Sequence, residues 1–345
     1  MGKQIHGGDI YRNQNVMDFS VNSNPLGPPE AVIRAIREQA EAIVHYPDME
    51  CEALKNVIGK YENIEPSKIL CGNGAAELFF LIVQALRPKK ALLFAPTFSE
   101  YENALRTVDA KINYYILKKE NNFLVEPNIL ERISSDMDIL FLCNPNNPTG
   151  LMTEPELLEK IIRRCEEENV YLVLDECFLD FLEDADLYEM KHLCSQCSKL
   201  IIVKAFTKIF CMPGLRLGYC ICGDENVLAN MRKMLQPWNV SVLAQICGVA
   251  AMKDRNKYMK ETKTFLRNEK DYLINEMKHE GYTVYPSRAN YLFFEGPVGL
   301  YEKALENGYL IRDCQNYRGL SEGYYRIAVR THEENERMIT WLRKS

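Results

Sequence analysis

Val203-Lys204-Ala205-Phe206-Thr207-Lys208-Ile209-Phe210-Cys211-Met212-Pro213-Gly214-Leu215-Arg216-Leu217-Gly218-Tyr219 decides how the chain is read. It continues Leu200-Ile201-Ile202, a run short and β-branched enough for a buried strand. Lys208 is therefore expected just past a strand end, on a loop, with Arg216 following between two leucines. A nucleophilic lysine must lose its proton near neutral pH, and burial or a second cation nearby lowers its pKa. Arg216 and the Thr207 hydroxyl would supply that cation and a clamp for a phosphate. On the Lys-to-Arg spacing alone, a solvated surface lysine beside a packing arginine is the simpler account.

Outward from this stretch, apolar runs alternate with helical patterns. Strands are expected at Ala91–Phe94, Ile112–Leu117, Ile139–Cys143, Tyr171–Leu174 and Leu200–Val203. Helices are expected at Glu30–Ile43, Ala75–Leu86, Ser99–Val108 and Glu154–Glu168. Continuous apolar strands spaced by helices predict an α/β chain with a large, mostly parallel sheet covered on both faces. From about Val242 long charged helices run through His279. Strands at Tyr291–Glu295 and Tyr325–Val329 and a last helix from Glu333 then predict a small α+β domain. The expected division is 1–45 for an N-terminal arm and part of the small domain, 46–245 for the large domain, and 246–345 for the small C-terminal domain.

The 345 residues carry a net charge of −6, which offers no basic footprint for nucleic acid or an anionic membrane. No apolar run approaches a spanning helix, and Met1–His6 is no secretory signal, so a cytoplasmic location is expected. The 12 cysteines are scattered, and Cys194-Ser195-Gln196-Cys197 lacks a second pair or a nearby His to complete a zinc site. Reduced structural thiols and no metal are expected.

Several strings invite a chemical reading beside a plain one. His6-Gly7-Gly8-Asp9-Ile10 and Asp18-Phe19-Ser20-Val21-Asn22-Ser23-Asn24-Pro25-Leu26-Gly27 could close around an anion, or form a flexible arm with turns. Cys71-Gly72-Asn73-Gly74-Ala75-Ala76-Glu77 opens a helix with small residues, leaving free N–H groups and a positive dipole end. It could equally be a plain N-cap. Pro96-Thr97-Phe98-Ser99-Glu100-Tyr101 puts an aromatic on a loop after a strand. Cys143-Asn144-Pro145-Asn146-Asn147-Pro148-Thr149-Gly150 reads physically as a turn. Asp175 ends the run Tyr171-Leu172-Val173-Leu174, where open α/β sheets collect ligands, and a buried carboxylate there would need a cationic partner. Arg312 and Arg326 fall in strand-like segments, where arginines are often edge charges. His45-Tyr46-Pro47-Asp48 reads as extended or a turn.

Thr207-Lys208 with Pro213-Gly214-Leu215-Arg216-Leu217-Gly218 resembles the Schiff-base lysine segment of the aspartate-aminotransferase-like enzymes that use pyridoxal phosphate. The other strings match in order over nearly the whole chain, and the likeness is greatest to the branch of histidinol-phosphate aminotransferases and threonine-phosphate decarboxylases. The resemblance implies the fold type I architecture of a large sheet domain and a small α+β domain. It implies that Lys208 carries the cofactor, and that Thr207, Arg216 and the amides of Ala75 and Ala76 hold its phosphate. Phe98 would stack on the ring, Asn147 would bond the ring hydroxyl, and Asp175 would pair with the pyridine nitrogen, making the ring an electron sink. Tyr46 would reach the phosphate from a partner subunit, which implies a homodimer. Arg326 would take the substrate carboxylate; Arg312, with His6, Gly7, Gly8 and Asn24 of the arm, would take a substrate phosphate.

Two features separate the branches. His6-Gly7-Gly8 resembles the decarboxylase opening, and Phe178 replaces the tyrosine of the aminotransferase pattern Asp-Glu-x-Tyr. The implied reaction is decarboxylation of phosphothreonine to aminopropanol phosphate, in cobalamin assembly. A histidinol-phosphate-type aminotransferase is the alternative on the same scaffold. Phosphoserine lacks only a methyl group, a difference worth about ten- to two-hundredfold in a pocket. A regulator's effector domain would need a DNA-binding module, for which the N-terminal segment is too short.

Overall fold

The computed structural model describes residues 6–345. In chain order its strands are β1 (Met17–Asp18), β2 (Ile69–Gly72), β3 (Lys90–Ala95), β4 (Lys111–Ile116), β5 (Ile139–Cys143), β6 (Tyr171–Asp175), β7 (Leu200–Ala205), β8 (Gly218–Cys222), β9 (Thr283–Val284), β10 (Tyr291–Glu295), β11 (Tyr309–Leu310), β12 (Arg312–Asp313) and β13 (Tyr324–Ala328). Seven of them form one sheet in the order β2-β8-β7-β6-β5-β3-β4. All are parallel except β8, which runs antiparallel to β2 and β7.

The unbroken apolar runs follow from burial on both faces. Leu140, Leu142, Leu172, Leu174 and Ile202 enter one core, while Ile139, Phe141, Val173, Ile201 and Val203 enter the other. Side chains alternate across a strand, so each run feeds two layers. The helix Gly74–Leu86 covers the second layer with Leu78, Phe79 and Ile82.

Three expectations need correction. The first helix stops at Glu38 and tightens to a 3-10 turn over Ala40–Val44, where Ile43 and Val44 are exposed and have no layer to pack against. Strands β2 and β8 were hidden inside motif strings. Lys208 lies not on a loop but in a single helical turn, Phe206–Ile209.

A second, antiparallel sheet has the order β12-β13-β10-β9. The N-terminal segment is stitched to it: β1 pairs with β11, the Phe19 N–H donates to the Leu310 carbonyl at 2.8 Å, and the Ala328 N–H donates to the Phe19 carbonyl at 2.7 Å. This lays His6 and Gly7 of the arm beside Arg312. The helix Arg255–His279 packs against the last helix, His332–Leu342. Among the described residues no helix is long and apolar enough to cross a membrane.

Candidate active site

The carboxyl ends of β3, β5, β6 and β7, with the helix following β2, converge on a cleft of about 390 Å³. Its lining includes Phe98, Asn147, Asp175, Thr207 and Lys208, one or more from each strand end. This is the edge at which parallel sheets leave backbone and side chains free for a ligand.

Lys208 projects from its one-turn helix, whose carbonyl at Lys208 accepts the Asn24 N–H at 3.0 Å. Its Nζ lies 5.9 Å from the centre of the Phe178 ring. Burial, then the charge of Arg326 and more weakly that of Arg216, bring its pKa down to about 8. The expected second cation is thus chiefly Arg326. Near neutral pH a fraction of the Lys208 side chain is a free amine, the form able to attack a carbonyl carbon.

Asp175 is buried. One oxygen accepts the Cys177 N–H at 2.9 Å and the other accepts the Tyr101 hydroxyl. Burial raises its pKa, opposed by those hydrogen bonds. Among the described residues it has no cationic partner.

At the opposite wall, Arg326 donates to the Asn147 Oδ1 and, at 2.8 Å, to the Ser20 carbonyl. Its Nε is buried without a partner, and Tyr291 lies under the guanidinium at 5.3 Å. Arg312 donates to Asn316 Oδ1 at 2.8 Å and to the Asp313 carbonyl, with the Tyr317 ring 5.0 Å beneath it. His6 stands at the mouth, its Nε2 3.0 Å from Glu100 Oε1, a pairing that holds Glu100 below the usual carboxylate range.

Ala75, Ala76, Arg216, His6, Gly7, Arg312 and Arg326 share this cleft with Lys208. Gly8 lies next door, in a cavity that also reaches Arg312, with its N–H on Ser20 Oγ at 2.7 Å. Asn24 does not line the cleft. Its side-chain amide is spent on the Ile209 carbonyl and the Thr262 hydroxyl at 2.9 and 2.8 Å, so it braces the Lys208 turn instead. Tyr46 is 78% exposed, outside the cleft, stacked on Trp238 at 4.3 Å. Tyr101, Tyr317 and Glu100 were not singled out as site residues. Tyr101 and Glu100 stood in the Phe98 string and Tyr317 five residues beyond Arg312, but nothing local tells a hydroxyl reaching a distant carboxylate from a core aromatic.

The cleft fits pyridoxal phosphate on three counts. The helix Gly74–Leu86 presents the first-turn amides of Ala75 and Ala76 to the cleft, where a phosphate is favoured. Arg216 closes over that end. Gly74 takes a φ of +79°, which a side chain rarely adopts, and a Cβ on Gly218 would fall 2.7 Å from the Ala75 nitrogen, so the cradle calls for both glycines. Finally, Asp175 offers a buried carboxylate awaiting a cation, which a protonated ring nitrogen supplies.

Comparison with known proteins agrees. Residues 14–342 match the model of the family described as Aminotransferase class I and II. The threonine-phosphate decarboxylase of Salmonella typhimurium is 36% identical over 98% of this chain and 95% of its own. The adenosylcobalamin biosynthesis bifunctional protein CobDQ of Leptospira interrogans is 30% identical over 97% of this chain and 40% of its own. The crystal structure of the histidinol-phosphate aminotransferase from Clostridium acetobutylicum superposes with a TM-score of 0.88 at 28% identity, covering 94% of this chain and 98% of that one. Sheet order, cleft and sequence matches converge, and the chain belongs to the class I and II aminotransferase family of pyridoxal-phosphate enzymes.

Proposed function

We propose that the protein decarboxylates O-phospho-L-threonine to aminopropanol phosphate, the arm used in cobalamin assembly. The observation that carries this reading is the pairing of two buried arginines, Arg312 and Arg326, on the wall facing Lys208. Two guanidinium groups suit a substrate with two anionic ends, and charge-assisted bonds to arginine are the strong ones.

Arg326 takes the carboxylate with its unpartnered Nε and the donors now turned to Asn147 and Ser20. Arg312 takes the phosphate, helped by His6 and the Gly7 amide, with the Gly8 N–H a further donor once it leaves Ser20 Oγ. The phosphate end is the anchor that sets the rotation of the molecule, because the bond to the carboxylate must stand perpendicular to the cofactor ring. Lys208 would bond the cofactor; set free when the substrate amine takes its place, and with a pKa near 8, it can take up a proton as the ammonium and deliver it to the carbon that has lost carbon dioxide. Asp175 pairs with the ring nitrogen, and the amides of Ala75 and Ala76 with Thr207 and Arg216 hold the cofactor phosphate. Phe98 stacks on the ring and Asn147 bonds its hydroxyl. When bound, pyridoxal phosphate supplies the sink for the electron pair of the broken bond. Phe178 puts no hydroxyl beside Lys208, in keeping with a lyase.

We further assign residues 1–45 to the arm and part of the small domain, 46–245 to the large domain and 246–345 to the small C-terminal domain. The assembly we propose is a homodimer with Tyr46 crossing to the partner's cofactor. Twelve free thiols fit a reducing cytoplasm.

Incubation with phosphothreonine, phosphoserine and histidinol phosphate, measuring carbon dioxide released and glutamate formed from oxoglutarate, tests the reading. Carbon dioxide from phosphothreonine without a keto acid is expected. Sustained glutamate production from histidinol phosphate would make the protein an aminotransferase, and a preference for phosphoserine would reassign the substrate.

A further inference from the structure

On the face of the sheet turned away from Asp175 lies a buried charge cluster that the reaction does not use. Lys204 of β7 sits at its centre. Its Nζ is 3.4 Å from Glu62, 3.6 Å from Glu189, 3.8 Å from Glu176 and 3.9 Å from Asp180. Lys191 pairs with Glu62 and Glu189, both at 2.8 Å, and Arg255 of the helix Arg255–His279 pairs with Asp180 at 2.8 Å. Tyr219, opposite Lys204 on β8, donates its hydroxyl to Glu62. Lys263 acts on Asp180 from the same long helix.

The place of this cluster matters more than its size. The β6–β7 ladder ends at the Glu176 N–H on the Val203 carbonyl, 2.9 Å. Beyond that bond, β6 has just delivered Asp175 and β7 has yet to reach Lys208. Lys204 is the next residue on β7 and Glu176 the first after β6; their side chains approach to 3.8 Å, and Lys204 donates to Glu62 at 3.4 Å, so a charged cluster takes over where the backbone ladder stops.

We propose that Lys204 is a positioning residue: with the carboxylates it gathers, it fixes the ends of β6 and β7 and so the relative placement of Asp175 and Lys208. The proposal rests on the reading of those two residues as cofactor ligands.

Charge balance supports it. Four carboxylates, Glu62, Glu176, Asp180 and Glu189, face three close cations, Lys191, Lys204 and Arg255. Glu62 is drawn down to about 2, since Lys204 and Lys191 outweigh its burial. Glu176 goes the other way. Burial, only partly offset by Lys204 and reinforced by Glu189, Glu62 and Asp180, pushes it up to about 8. That shift favours the protonated acid and brings the close charges nearer to balance. Ionising it adds an uncompensated buried charge beside the strand ends.

The test uses the holoenzyme, after borohydride labelling has verified Lys208 in the wild type, so that failure of that assignment is seen separately. K204M removes the central charge with similar volume. We expect the pH midpoint of the cofactor's visible band to move, and kcat to fall about tenfold or more with KM for phosphothreonine within about twofold. A folded K204M with wild-type midpoint and kcat overturns the proposal. Should K204M not fold, E176Q decides. It should match the wild type at pH 7 but keep its kcat as pH rises through about 8, where the wild type loses activity. Superimposable kcat profiles from neutral to alkaline pH overturn it.

Discussion

Arg312 on β12 and Arg326 on β13 are directly opposed in an antiparallel register, so two buried guanidinium groups leave neighbouring strands on the same face. Like charges so placed are unfavourable by themselves. Here each is padded by an aromatic ring and by carbonyl oxygens, which soften the repulsion without cancelling either charge. The pair is stable enough to form and is relieved further when an anion enters.

For Arg312→Ala, the phosphate end would lose its main anchor. Truncating one partner of a buried, hydrogen-bonded charge pair costs about 2–5 kcal/mol. We expect kcat/KM for phosphothreonine to fall by about 10²–10³-fold, with kcat reduced as well as KM raised, because remote binding energy orients the reacting bond. Unphosphorylated threonine should react very poorly with the intact enzyme. Steady-state kinetics on both substrates check this, and threonine reacting as well as its phosphate would refute the two-anchor model.

The depressed Lys208 pKa makes a stability prediction for the protein freed of cofactor. The group titrates near 8 when folded against the usual 10.5. Between those values the unfolded chain binds a proton that the folded one does not, so stability rises with pH across the window and the penalty is fully present below pH 8. Lys208→Met should therefore stabilise the apoprotein at pH 7 by ~1–3 kcal/mol and have little effect above pH 10.5. Urea melts at both pH values measure it. Equal stability of the two proteins at pH 7 would count against an ammonium penalised at this site.

Much of the frame was open to sequence reading because Ala91–Phe94, Ile139–Cys143, Tyr171–Leu174 and Leu200–Val203 are apolar runs at the heart of β3, β5, β6 and β7, and such runs have few other fates. The strand ends therefore located most of the cleft. What escaped was set by distant contacts. β12 has only two residues, too few for any pattern, so the opposition of Arg312 and Arg326 could not be read locally. β8 opens on Gly218, required for its approach to Ala75, and a leading glycine weakens a strand signal. Asn24 could serve either an anion or the backbone, and only the fold shows that Ile209 and Thr262 use up its amide. Tyr101 bonds a carboxylate 74 positions away.

Asp175→Asn keeps the shape and both neighbours of the side chain while removing the charge. With the amide oxygen accepting the Cys177 N–H, the amide nitrogen faces the Tyr101 hydroxyl, which can turn to accept from it, so the fold should persist with an unchanged circular dichroism spectrum. Turnover should fall by about 10²-fold or more, since a neutral amide no longer keeps the ring nitrogen protonated. An Asn variant with near-normal turnover would reduce Asp175 to a loop cap.

The last prediction concerns Tyr46, which in one chain is stacked on Trp238 and otherwise exposed, with Ile43, Val44 and Met49 exposed beside it. A cluster of exposed apolar side chains marks an interaction surface. If the surface is the seam of a homodimer and Tyr46 donates to the partner's cofactor phosphate, Tyr46→Phe should weaken pyridoxal-phosphate binding by about tenfold or more, the worth of a hydrogen bond to a charged group. A mixing experiment separates action within a chain from action across the interface. Tyr46→Phe keeps Lys208, and Lys208→Met keeps Tyr46. A heterodimer of the two would contain one cleft with both groups intact if Tyr46 reaches across, and none if it acts within its own chain. Co-expressed, differently tagged subunits purified through both tags should therefore bind cofactor tightly at half the sites, with turnover near half that of the wild type. Heterodimers that bind cofactor only as weakly as Tyr46→Phe itself would place Tyr46 in its own chain's site, and a monomer in sedimentation at micromolar concentration would remove the interface altogether.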